Sequence, residues 1–239
     1  MPSAIVTGGS VRLGRGMALH LAEKRYAVAL HYGSSDQQAE ESADEIRSYG
    51  VRCHTYACDF TDLEAGGKFM ESVSADFDDI ELLLNSAANF IQENVENTST
   101  KTLIDSFNIN LFTPYILMRD YKRRINRGMI VNILDERILK TIPTFAAYSM
   151  TKVALSHLTH LAAVEWGETV RVNAIAPGLI LPPAGQSDDY LIRGAKQVPT
   201  KTYGTVEDIQ HALEYLITSK FVNGETLYVD GGTHHMSRE

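Results

Sequence analysis

The chain has 239 residues, of which 44% are apolar and 22% charged, with no low-complexity run. That composition is globular, and the length suits a single open α/β domain over residues 1–239. The formal charge of −8 argues against nucleic acid or an anionic membrane surface as a partner, because both need a basic face.

The elements alternate along the chain. Residues 3–7 form a short apolar run that reads as a first strand, and residues 8–14 form a turn with glycine at each end. Residues 12–25 are helical by period, with Leu13, Met17 and Leu21 inward, and residues 27–32 (AVALHY) make a second strand. A polar helix over residues 36–49 ends at Gly50, and a third strand spans 51–57. A helix at 63–77 is followed by a strand at 80–85, and a long helix at 100–125 carries Pro114 as a possible kink. Then come a fifth strand at 129–134, a helix at 147–166 and a sixth strand at 170–175. A Pro/Gly-rich loop, a short helical piece at 188–196, a helix at 206–218 and a strand at 226–229 complete the chain. Apolar strands alternating with helices predict an α/β Rossmann-type fold, a doubly wound parallel sheet flanked by helices. Its ligand crevice lies beyond the carboxyl ends of the strands. Four stretches follow strand ends and so converge there: residues 8–14, 85–90, Asp135, and 177–181.

Two cysteines, Cys53 and Cys58, are too few for a disulfide framework and are expected as reduced thiols. With a strand-like run starting at Ser3 no signal peptide is expected, and no apolar run approaches the ~20 residues of a membrane helix. A cytoplasmic protein is expected. The basic cluster Arg119, Lys122, Arg123, Arg124 and Arg127 reads as a solvated helix end. His157, His160, His234 and His235 lack a third partner at metal spacing, so no metal site is expected.

Tyr148 and Lys152 stand four residues apart and share one face of their helix, with Asp135 upstream at a strand end. A phenol near pKa ~10 is a poor acid or base at neutral pH, and an adjacent cation is expected to lower that value. The run TGGSVRLG, from Thr7 to Gly14, follows the first strand and opens a helix. Glycine admits close backbone approach to a pyrophosphate, and the helix N-terminus favours its charge.

Together these features resemble the short-chain dehydrogenase/reductase family. They are T-G-x-x-x-R-x-G from Thr7, N-S-A-A from Asn85, Asn110 within INLF, Tyr148-x-x-x-Lys152, the pair Pro177–Gly178, and D-G-G from Asp230. The resemblance runs over essentially the whole chain and implies hydride transfer with NAD(H) or NADP(H). It implies that Tyr148 is the proton donor or acceptor and that Lys152 holds the nicotinamide ribose and lowers the tyrosine pKa. Asn110 would anchor a relay water through a break in the long helix. Cofactor contacts are implied for Gly8, Ser10, Arg12, Leu13, Gly14, His31, Tyr32, Ser34, Ser35, Asp59, Phe60, Asn85, Ala87, Tyr148, Lys152, Pro177, Gly178 and Leu179.

Two positions depart from the family's pattern. Arg12 stands where glycine is usual, and Asp135 where serine is usual. Both look like the pteridine reductase branch, as do Leu13-Gly14-Arg15, His31-Tyr32 and Phe90. The runs NAIAPGLIL and YLITSKFVNG are similar to bacterial dihydromonapterin reductases of the dihydrofolate-reductase-like type. The resemblance implies a pterin or folate substrate against Phe90, with Arg12, Asp135, Tyr148 and Leu181 around it. A carboxyl at Asp135 fits C=N reduction, which needs a proton on nitrogen. Strand two ends HYGSS with no acid at its tip, which favours NADPH over NADH. The rival readings are a carbonyl reductase for 3-oxoacyl or sugar ketones and a cofactor-binding scaffold without turnover. Residues 182–197 are expected as a substrate lid. The family resemblance implies a homotetramer built on the two long helices, with C-terminal tails reaching neighbouring sites.

Overall fold

Helical connections between successive strands supply the crossovers that parallel pairing needs. The computed structural model describes residues 1–236 and places seven strands in one sheet of order β3-β2-β1-β4-β5-β6-β7. The strands are β1 Ser3–Val6, β2 Ala27–Tyr32, β3 Cys53–Ala57, β4 Ile80–Asn85, β5 Met129–Ile133, β6 Arg171–Pro177 and β7 Thr226–Val229. Every neighbouring pair is parallel. Strand order reverses between β1 and β4, and a crevice opens at that point beyond their C-terminal ends.

The helices are α1 Arg12–Glu23, α2 Asp36–Ser48, α3 Leu63–Asp76, α4 Thr100–Phe107, α5 Thr113–Arg124, α6 Ala146–Trp166, α7 Asp189–Ala195 and α8 Val206–Thr218. Alternate strand residues feed two cores. Ala4, Val6, Val28 and Leu30 pack with Met17, Leu21, Ile46 and Leu213 of α1, α2 and α8. Ile5, Ala29, Leu83 and Ile130 pack with Met70, Leu117 and Leu155 of α3, α5 and α6. The period of two along each strand thus sorts side chains between two helical layers.

The long helix expected at residues 100–125 is interrupted, but not by a proline kink. Asn108–Phe112 form a π-helical turn between α4 and α5. Pro114 stands in the first turn of α5, immediately after that wide turn, where a missing N–H costs least. The basic cluster at the end of α5 is largely ion-paired: Arg119 with Asp120, Arg124 with Glu71, and Arg127 with Asp79. Both cysteines are free thiols, Cys53 buried. No helix among the described residues is long and apolar enough to cross a membrane. The expected reach of the C-terminal tail falls partly on residues 237–239, which lie outside the described residues.

Candidate active site

The glycine turn is tightly closed. Gly8 has φ +62°, and a Cβ there would meet Ala87 Cα at 2.8 Å. A Cβ on Gly14 would lie 2.1 Å from the Gly8 carbonyl oxygen. Only glycine fits either position. Thr7 ties this turn to the end of β4: its Oγ1 accepts from the N–H groups of Ser86 at 2.9 Å and Ala87 at 3.0 Å. The N-terminus of α1 has no capping side chain and no acid in its first turn. Its N–H groups are left for an anion, which fits a dinucleotide pyrophosphate. Gly8, Arg12, Leu13, Gly14, Ala87, Lys152, Pro177 and Gly178 all line a cleft of about 330 Å³ over this turn.

Arg12 adopts φ +54°, the left-handed region that glycine prefers. Its guanidinium Nη2 donates to the Pro182 carbonyl at 2.6 Å, fastening the segment that follows Leu181. That segment leads into α7, whose Leu191 and Ala195 are buried.

Next to the cofactor cleft is a second pocket of about 280 Å³, bordered by Arg12, Phe90, Asp135, Tyr148, Leu181 and Tyr190. Tyr148 is buried on the first turn of α6, and its hydroxyl donates to Asp135 Oδ2 at 3.0 Å. Asp135 Oδ1 caps a short 3-10 turn, Glu136–Leu139, by accepting from the Arg137 N–H at 2.9 Å. Lys152, one helical turn after Tyr148, donates to the Ile133 carbonyl at 2.7 Å. Burial lowers its pKa to about 8, with the Asp135 charge opposing that shift.

The expected depression of the tyrosine pKa is not seen in this state. Burial and then the Asp135 carboxylate push Tyr148 well above its ordinary value. The phenol is therefore held protonated and fits the part of a proton donor. Phe90 is 42% exposed. Its ring stacks on Phe145 at 4.3 Å and meets the Tyr148 ring edge-on at 4.8 Å. Arg137 lies over both phenylalanines, 5.1 Å from the Phe90 centroid and 4.7 Å from Phe145. The pocket thus has an aromatic wall facing an acid and a phenol.

The other expected contact residues are placed as follows. His31 is buried under the glycine turn, where Nδ1 accepts from the Gly8 N–H at 3.0 Å and Nε2 donates to the Cys58 carbonyl at 2.9 Å. It stacks on the buried Phe60 at 3.8 Å, so both side chains support the turn from below and do not line the cleft. Asn85 donates to Asn132 Oδ1 at 2.8 Å inside the sheet, as their shared register requires. Asn110, in the π turn, donates to Asn89 Oδ1 at 2.7 Å and accepts from the Asn89 N–H at 3.0 Å. Its side chain pins the loop that carries Phe90. Ser10 Oγ and Ser35 Oγ lie 3.3 Å apart at the tip of β2, beside Tyr32 and an exposed Ser34. Asp59 is exposed and accepts from the Thr61 N–H at 2.9 Å, which holds its carboxyl below the usual range. Leu179 borders the second pocket.

The sequence reading missed Arg137, Phe145 and Tyr190. Phe145 lies three residues before Tyr148, one helical turn away, and that spacing was a usable signal.

A family profile described as Enoyl-(Acyl carrier protein) reductase matches residues 11–234 of the chain. The protein belongs to the short-chain dehydrogenase/reductase family. It is an oxidoreductase of that family, similar to an uncharacterized oxidoreductase of Mycobacterium tuberculosis at 32% identity, over 96% of this chain and 90% of that protein. It is 30% identical to the 3-oxoacyl-[acyl-carrier-protein] reductase FabG of Staphylococcus epidermidis, over 97% of this chain and 98% of that protein. Among solved structures it is similar to FolM alternative dihydrofolate reductase 1 from Brucella canis complexed with NADP. That likeness has TM-score 0.93 and 28% identity, over 100% of this chain and 96% of the other. Acetoin dehydrogenase of Salmonella typhimurium matches with TM-score 0.90 and 25% identity, over 100% of this chain and 98% of the other. In this short-chain dehydrogenase/reductase, Tyr148 and Lys152 stand one helical turn apart on α6, with Asp135 hydrogen-bonded to the tyrosine.

Proposed function

We propose that the protein reduces a dihydropterin to its tetrahydro form with NADPH, acting on dihydromonapterin, dihydrobiopterin or dihydrofolate. The observation that carries this reading is the Asp135 carboxylate, which accepts the Tyr148 hydroxyl at 3.0 Å in a pocket walled by Phe90. A ketone needs one proton on oxygen, which a tyrosine alone can deliver. A C=N bond needs its proton on nitrogen, and a pterin edge presents several donors that a carboxylate can accept. Support for NADPH comes from the absence of an acid at the tip of β2, from Ser34 and Ser35, and from the NADP-bound FolM relative.

NADPH, when bound, supplies the hydride to a ring carbon. The residues of this chain do the rest. The glycine turn and the open end of α1 receive the cofactor phosphates. Lys152 holds its ribose, and Phe90 stacks on the pterin. Asp135 accepts from the N–H groups of the pterin edge, and Tyr148, kept protonated, gives its proton to the ring nitrogen next to the reduced carbon and regains one from solvent. The assembly we propose is a cytoplasmic homotetramer. Its contacts would use the apolar side chains that α4 to α6 leave exposed, among them Ile104, Tyr115, Leu161 and Val164. The test of the activity is to mix protein, NADPH and each dihydropterin and follow the loss of NADPH absorbance. Turnover of ketones with none of any pterin defeats it.

The FabG likeness favours a second reading, a 3-oxoacyl or other carbonyl reductase. Asp135→Ser separates the two: serine restores the family's usual residue, so it raises ketone reduction under either reading. Under the pterin reading it also lowers pterin turnover about 100-fold or more, as loss of a positioned acid does.

A further inference from the structure

A wide groove of about 810 Å³ lies beside the substrate pocket, between the 3-10 turn Glu136–Leu139, the chain after α7, and the 3-10 turn Thr233–His235. Arg137, Lys140, Lys196 and Lys201 line it, with His235, and Glu136 is the one acid among its lining residues. Lys140 and Glu136 neutralise each other at 2.5 Å, and Arg137 is paired with Asp135 at 3.8 Å, which leaves Lys196 and Lys201 as the uncompensated cations. Lys196 and Lys201 are exposed, and no carboxylate among the described residues pairs with either. Lys201 is also fixed in place: its backbone has φ +57°, and its ammonium donates to the Lys196 carbonyl at 3.0 Å. Uncompensated cations gathered in one concavity are notable on a chain of net charge −8, and such a concavity concentrates anions.

The groove adjoins the pocket, because Glu136 and Arg137 line both. An anion held there can therefore belong to the same molecule whose ring sits between Phe90 and Asp135. We propose that this groove is a subsite for a carboxylate-bearing tail on the pterin. It would select folate-type substrates with one or more glutamyl residues over pterins with a neutral polyol side chain. The inference rests on the pterin-reductase reading and adds a determinant of specificity outside the reacting atoms.

The test uses the full chain with NADPH and three dihydropterins: one with a neutral polyol side chain, dihydrofolate, and its triglutamate. At low ionic strength KM should fall as carboxylates are added, and the difference should shrink with salt, since exposed charges are screened. The double variant K196Q/K201Q should raise KM for the triglutamate roughly 3- to 10-fold, the scale of two exposed ion pairs. It should leave kcat and the KM of the neutral pterin unchanged, which also shows that the variant folds. A wild-type KM that ignores tail charge overturns the proposal, as does a tail effect that survives in the double variant. If the double variant impairs only reduction of a 3-oxoacyl group on an acidic carrier protein, the groove serves that protein and the proposal is wrong. If no dihydropterin is turned over, the functional reading has failed. The groove is then judged by equilibrium binding of pteroyltriglutamate. Salt-sensitive binding lost in the double variant supports the subsite, and absence of binding overturns it.

Discussion

The Tyr148 hydroxyl donates to Asp135 Oδ2 at 3.0 Å, while the other oxygen of the same carboxylate caps the turn that begins at Glu136. One acid therefore sets both the protonation of the tyrosine and the shape of the loop around the pocket.

The first consequence concerns pH. Burial and Asp135 hold the proton on Tyr148, whereas burial lowers Lys152 to about 8. As pH rises, the lysine loses its charge first. The alkaline limb of kcat/KM, which reports the free enzyme, is expected near pH 8. Because the Asp135 charge raises the lysine pKa, Asp135→Asn should move that limb to lower pH. A limb above pH ~10 in the unsubstituted protein would assign it to the tyrosine instead, whose pKa burial and the Asp135 charge raise.

Arg12 offers a trade between stability and binding. Its φ of +54° costs a non-glycine residue about 1 kcal/mol. Arg12→Gly should therefore leave the urea midpoint unchanged or slightly higher, despite the lost hydrogen bond to Pro182. The same variant should raise substrate KM about 10-fold, because the guanidinium borders both pockets. A destabilised Arg12→Gly protein with normal KM would contradict both statements.

How much of this was legible in the sequence follows from what each signal encodes. Parallel strands buried on both faces leave apolar runs such as AVALHY and IELLLN, whereas the partly exposed edge strand CHTYA was visible from its place between two helices. Tyr148, Lys152 and Asp135 were visible because helical spacing and a strand end bring them together. The place of His31 was not. Alternation along β2 puts it with Ala29 on the Phe60 side, but a histidine at a strand tip looks the same whether it faces a ligand or lies under a turn. The break in the long helix at Asn110 was expected from the resemblance, but its form as a π turn was not, since wider hydrogen bonding leaves no mark in residue period that Pro114 did not already blur.

His31 itself makes a measurable prediction. Burial lowers it to about 4 from 6.5. As pH falls, the unfolded chain takes up the proton first, so stability drops from pH 6.5 and levels off below about 4. The loss amounts to at most roughly 3 kcal/mol. His31→Phe keeps the stack on Phe60 but removes both hydrogen bonds. Urea melts across this range should show a flatter slope for the variant, and its KM for NADPH should rise several-fold as the turn loosens.

Two glycine substitutions give a matched pair. Gly14→Ala places a methyl 2.1 Å from the Gly8 carbonyl and must open the turn. Gly33 has nothing within 4 Å of its missing Cβ. Equilibrium titration with NADPH should show binding weakened at least about 10-fold in Gly14→Ala and unchanged in Gly33→Ala. Equal affinity in the two variants would mean that the turn is not the cofactor's seat.

The wide turn Asn108–Phe112 has a bearing on how this long rod can be altered. One extra residue in a helix rotates everything beyond it by about 100° around the axis. The stretches on either side therefore have independent angular phases. α4 can aim its residues toward α6 while α5 aims Leu117 and Tyr121 into the second core. Deleting a single residue from the turn would regularise the winding yet swing one of these stretches out of phase, taking Asn110 off Asn89 and releasing the Phe90 loop. The irregularity is thus a coupling between two orientations that a straight rod of the same length could not satisfy together.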